Sequence, residues 1–201
     1  MAKSAGAVLA VLSAAVLSGC GPKTSAPTPT VNQSMTKVMA PNAQIIWDIT
    51  SAAFNAKGDG LDPTKISEAD WGRLEQAGQE MKDRARVLSI APHVAAADPG
   101  AAVMGAYAAP AGPTKKTWDA ASPQQIQALI DGDPKQFAQH AKALETAMDD
   151  LVKAARAKDV QSVYRVSSGL DDTCDGCHKP FWGTDEPPPF PAQPAPVRLS
   201  R

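Results

Sequence analysis

Apolar residues recur along this chain with the three- and four-residue steps of one helix face. Phe137, Ala141, Leu144, Met148, Leu151 and Ala155 are spaced 4, 3, 4, 3, 4, and Val160, Val163, Ser167, Leu170, Cys174 and Cys177 are spaced 3, 4, 3, 4, 3. Two earlier segments repeat the pattern, with Met35, Val38, Asn42, Ile45, Ile49 and Ala52 on one and Trp71, Leu74, Gly78, Met81, Ala85 and Leu88 on the other. A seam of this kind must be covered by another element. Four seams, with no segment alternating as a strand does, predict an all-α protein built as an antiparallel four-helix bundle.

The helix ends are also legible. Ser67 with Asp70 three residues on approximates a capping box, and Ile66 stands at the staple position before it. Asp133-Pro134 and Ser122-Pro123 each place a capping residue before a proline in the first turn, the second opening a short helix through Ile130. Asp159 follows the third long helix so closely that helices three and four should form a tight antiparallel hairpin. Two prolines predict interruptions. Pro41 should kink or restart the first helix, because it lacks an N–H and its ring opposes the Lys37 carbonyl, and Pro180 should end the fourth at His178 or Lys179.

The remaining segments lack helical periodicity. Ser89 to Ala121 is rich in Ala, Pro and Gly, and is expected to pack over the bundle or to be partly disordered. Residues 183–201 form a Pro-rich tail expected to be extended. At the other end, Lys3 precedes an apolar stretch from Ala5 to Leu17, too short to span a bilayer but suited to a secretory signal. Leu17-Ser18-Gly19-Cys20 resembles a bacterial lipobox, which would make 1–19 a signal peptide and Cys20 the lipidated first residue of the mature chain. Residues 20–33, poor in bulky apolar side chains, then read as that cysteine and a flexible tether, and 34–182 as the bundle. The predicted location is the periplasmic side of a bacterial membrane, held by a lipid anchor.

Composition narrows the function classes. The chain has 201 residues, and with 20 Lys plus Arg against 21 Asp plus Glu its formal charge is −1, which argues against a nucleic-acid partner. Three cysteines are too few for a disulfide scaffold. Two of them stand in Cys174-Asp175-Gly176-Cys177-His178, the C-x-x-C-H signature of c-type haem attachment. Helical positions i, i+3 and i+4 share a face, so two thiols can add across the haem vinyl groups while His178 ligates the iron from the proximal side. The competing readings fit less well. A redox pair normally opens a helix after a strand, and a structural zinc site needs four ligands, whereas only His93 and His140 remain.

A tether, four helices and a C-terminal haem motif resemble the class II cytochromes c, the group that contains cytochrome c-prime. The resemblance covers about Val31 to Trp182 and rests on the pentapeptide, on Phe181-Trp182 after it, on Met35 six residues before Pro41, and on Ile45-Ile46-Trp47-Asp48. It implies one covalent haem c and points to the low-spin branch, in which a methionine of the first helix takes the distal iron position. Met35 is the first candidate for that ligand. Met39, His93, His140 and an open iron remain alternatives, and Met35 can also be core filler. Trp47, Trp71 and Trp118 read as core or pocket packing. Lys37, Arg165 and Lys179 read as solvated charges that can also reach haem carboxylates.

Two functions follow from the resemblance. One is a membrane-tethered electron carrier with His/Met ligation, serving a redox partner protein in the periplasm or membrane. The other is a five-coordinate haem protein that binds or senses a diatomic gas. An enzyme is not expected, since no distal acid–base pair is identifiable. Some class II members dimerise, so a homodimer is compatible with the resemblance.

Overall fold

The computed structural model describes residues 27–101, 103 and 122–182. The signal peptide, Cys20, Trp118 and the Pro-rich tail therefore lie outside the described residues. The first helix, α1, is made of three pieces that join without a break: α-helical Val31–Ser34, π-helical Met35–Met39 and α-helical Ala40–Ala52. Then come α2 (Glu68–Ile90), α3 (Pro123–Gly132), α4 (Pro134–Ala157), α5 (Val160–Ser168) and α6 (Leu170–Phe181). Among the described residues the only extended pairing is an isolated bridge between Phe54 and Leu61. Helix α1 packs on α2, α2 on α4, α4 on α5 and α6, and α5 back on α1. That ring of contacts is the four-helix bundle, with α5 and α6 together as its fourth member and α3 an extra short helix beside α4 and α6.

Each predicted cap is present. The Ser67 hydroxyl accepts from Asp70 N–H at 3.1 Å, Ser122 accepts from Gln125, Asp133 from Gln136 and Asp159 from Ser162. Lys158, in the left-handed region at φ 53°, turns the chain between α4 and Asp159, which makes the expected tight hairpin. All six predicted positions of α2 are buried, and those of α5 and α6 stay on one side through the break at Gly169. Gly78 lets α2 approach α4 closely. A Cβ there would lie 3.1 Å from Val152 Cγ2 and 3.3 Å from Leu151 Cδ2.

Three expectations change. Helix α1 begins at Val31, inside the segment read as tether, because Thr30 and Gln33 form a capping box and the Val31 and Asn32 N–H groups donate to the Ala95 and Ala96 carbonyls at 2.9 Å. Its buried face runs through Met39, Asn42, Ala43, Ile46, Ile49, Thr50 and the cap residue Ala53, so Asn42 and Ile49 of the predicted seam are buried while Ala52 is exposed and Met35, Val38 and Ile45 are half-buried. The π-turn carries more residues per turn than an α-turn, so a seam counted at constant period falls out of phase. In the fourth helix, α6 runs through Pro180 to Phe181. The proline forfeits one bond in the last turn. Burial of Phe181, edge-on to Phe137 with ring centroids 5.4 Å apart, holds that turn in place.

Pro41 acts as expected, with a specific form. The chain widens just before it, the Ala40 N–H bonding Met35 O five residues back, and α-geometry resumes with the proline in the first turn. The Ser89 to Ala121 segment, as far as it is described, packs over the bundle. Gln127 on α3 ties it down, its Oε1 accepting from Ala96 N–H at 2.7 Å and its Nε2 donating to Val94 O at 3.3 Å.

Candidate functional site

The bundle core divides into two clusters. The larger contains Met39, Ile46, Leu74, Met81, Met148, Leu151, Val163 and Leu170, and Cys174 packs against it. The smaller, at the end where α6 finishes, contains Leu88, Ile126, Ile130, Phe137 and Phe181, and Cys177 and Trp182 pack against it.

An apolar cleft opens at that second cluster. Helix α1 contributes Val31 and Met35 to its wall, the loop after α2 gives Ala96 and Val103, and α3 gives Ile126 and Ile130. Helix α6 supplies Cys177 and His178 and is followed by Trp182. The cavity volume is ≈ 30 Å³, room for a water or two, so a flat macrocycle enters only if the side chains of these separate elements part.

Of the sequence-predicted site residues, the cleft brings together Met35, Cys177 and His178. Cys174 lies one turn earlier on α6, half-buried on the side of the larger cluster. Met39 is buried in that cluster and does not reach the cleft. His93 is exposed on the loop. His140 reaches the attachment helix from α4, with Nδ1 3.4 Å from where a Gly176 Cβ would be, so a methyl there would meet the imidazole in ordinary contact. Lys37 is exposed, Arg165 donates to the Ser162 hydroxyl, and Lys179 pairs with Asp175 at 3.0 Å. None of these three cations lines the cleft.

Burial sets the protonation of the donor set, and for His178 it is the form that iron ligation requires. Burial, then the charges of Asp171 and Asp175, push the Cys174 thiol up to about 11. Burial pushes Cys177 up to about 12, with Cys174 adding to it. Burial lowers His178 against the opposing pull of Asp175, so its imidazole is neutral near pH 7, the form that ligates metals. Activated redox thiols are shifted the other way, which removes that competing reading. A zinc site finds no support either, since no group of three or more His, Cys, Asp or Glu gathers among the described residues.

One further feature fits a polar-edged ligand. The Trp182 indole N–H is the one buried side-chain polar atom without a partner among the described residues, and it belongs to the cleft wall. Its ring stands edge-on to His178, centroids 4.9 Å apart and planes at 88°. The sequence marks Trp182 only as an aromatic after the motif. Its orphaned donor is a property of packing. Thiols, imidazole, apolar walls and an unused donor together suit a haem.

Residues 101–182 match the family model for cytochrome C'. The matched region takes in α3 to α6 and the whole pentapeptide, and leaves α1 with Met35 outside. No curated protein and no solved structure matches the chain.

Proposed function

We propose that this chain, a haem-binding cytochrome of the cytochrome C' family by its residues 101–182, carries electrons on the periplasmic side of a bacterial membrane, tethered by a lipid on Cys20. The observation that supports the carrier reading is the convergence of Met35 from α1 and His178 from α6 on one apolar cleft. Bound there, a haem supplies a one-electron Fe(III)/Fe(II) couple. The chain's own residues do the rest. Cys174 and Cys177 would hold the cofactor covalently, each thiol adding S–H across one vinyl group. His178 presents a neutral imidazole nitrogen, and Met35 a thioether sulfur, a soft donor that favours Fe(II) and raises the potential. The aliphatic and aromatic walls exclude water, which suits transfer without bound substrate. The lipid on Cys20 would keep this domain near a redox partner at the membrane.

The test is the optical spectrum of the purified protein, oxidised and reduced, with and without CO. Sharp low-spin reduced bands, a weak long-wavelength band in the oxidised form and no CO shift are expected. The Cys174→Ser/Cys177→Ser double variant is expected to lose covalent haem staining. A high-spin spectrum with a strong CO shift would replace the carrier reading with gas binding, and covalent staining of the double variant would end the attachment assignment.

A further inference from the structure

Trp182 closes the cleft at the point where α6 ends. Its backbone N–H donates to His178 O at 2.8 Å, so the residue is anchored to the proposed iron ligand by its main chain and meets it again by its ring. Its indole N–H is buried and unpaired. A donor held away from water without an acceptor is costly, and such groups in folded proteins usually have a reason. Among the described residues, few side-chain acceptors line the cleft. Its other lining residues are hydrocarbon or sulfur except Asn32, which has its own interaction, and His178. A neutral imidazole has a single acceptor nitrogen, and iron ligation consumes it. A ligand that enters the cleft can bring the missing acceptor, and the hydrogen-bond acceptors that haem carries are its two propionate carboxylates.

We propose that Trp182 is a haem-positioning residue, its indole N–H donating to a propionate carboxylate of the bound cofactor while its ring braces the His178 imidazole. The inference rests on the haem reading above. It gives the site a neutral donor where the charged side chains Lys37, Arg165 and Lys179 do not line the cleft. It also accounts for a tryptophan at a position where phenylalanine would serve for packing alone.

The experiment uses the holoprotein and the variant Trp182→Phe, which keeps a ring beside His178 and removes only the donor. In the wild type, the indole N–H resonance of the reduced protein should exchange with solvent more slowly by orders of magnitude than an exposed indole. In Trp182→Phe, covalent haem and the low-spin spectrum should persist. The propionate bending band in the resonance Raman spectrum should move and the midpoint potential should fall, because a carboxylate with no donor leaves more negative charge near the iron. Fast indole exchange in the wild type, or a variant with unchanged Raman band and potential, would overturn the proposal. If the variant does not fold, indole exchange in the wild type decides alone. A wild type without covalent haem would remove the haem reading itself, an outcome distinct from a loaded protein whose Trp182 is merely structural.

Discussion

Met35 and Met39 stand four residues apart in one helix, and a uniform helical count places them on the same side. The structure distinguishes them, with Met39 5% exposed inside the main core cluster and Met35 half-buried against that cluster and in the wall of the cleft that His178 also lines. Their truncations should therefore fail in different ways. Met39→Ala should lower stability by about 2–5 kcal/mol, the range for emptying a buried methionine site, and leave the haem spectrum alone. Met35→Ala should abolish the long-wavelength oxidised band and admit CO at a smaller cost in stability. Denaturant unfolding with optical spectra on both variants checks this, and loss of the band in Met39→Ala alone would exchange their roles. The sequence named both methionines. The resemblance put Met35 first, while the burial of Met39 and the half-burial of Met35 follow a π-turn that no residue type announces.

At the scale of the element, that π-turn couples Pro41 to the site. Its wide hydrogen bond, Ala40 N–H to Met35 O, lies directly before a residue that has no N–H to offer Lys37 O. Pro41→Ala restores that donor and lets the segment relax to α-geometry, turning Met35 about the helix axis by up to about 100°, one residue's worth. The expected result is a weakened methionine-ligation band with stability unchanged or raised. An intact band would show that the cleft, and not the proline, holds the turn open. The fourth helix teaches the complementary lesson. The proline rule predicted a stop near His178, but burial of Phe181 against Phe137 carries α6 through Pro180, so packing overrode the local preference.

For the whole molecule, the surface carboxylates set the acid limit. The Thr64 hydroxyl lowers Asp62, the Ser67 hydroxyl lowers Asp70, and the Ser162 hydroxyl lowers Asp159. Gln76 and then Asn42 lower Glu80, and Lys153 and then Lys82 lower Asp149. Each group binds protons less readily folded than unfolded, so its contribution is complete above the ordinary carboxylate range and is lost as pH falls through the folded value. The thermal midpoint should begin to decline below about pH 6.5, where the unfolded chain protonates His178 more readily than the folded one, and drop further below about 4; a midpoint unchanged to pH 3 would contradict this. The proposed anchor is checked at the same scale. Cys20→Ala should release the protein from the membrane fraction, and continued retention would require another attachment.

By itself the sequence determined the all-α class, the caps, three of the four seams and the pentapeptide, because these depend on neighbours within one helical turn or on a fixed chemical spacing. Tertiary structure alone decided the start of α1, the phase of its buried face and the place of Met35 in the cleft wall. The start of α1 depends on the Ala95 and Ala96 carbonyls more than sixty residues away. The phase depends on a widened turn, and the meeting of Met35 with His178 depends on how α1 lies against the end of α6. Trp182 shows the same division most sharply. Its identity is in the chain, but its missing hydrogen-bond partner exists only once the surrounding helices have closed water out.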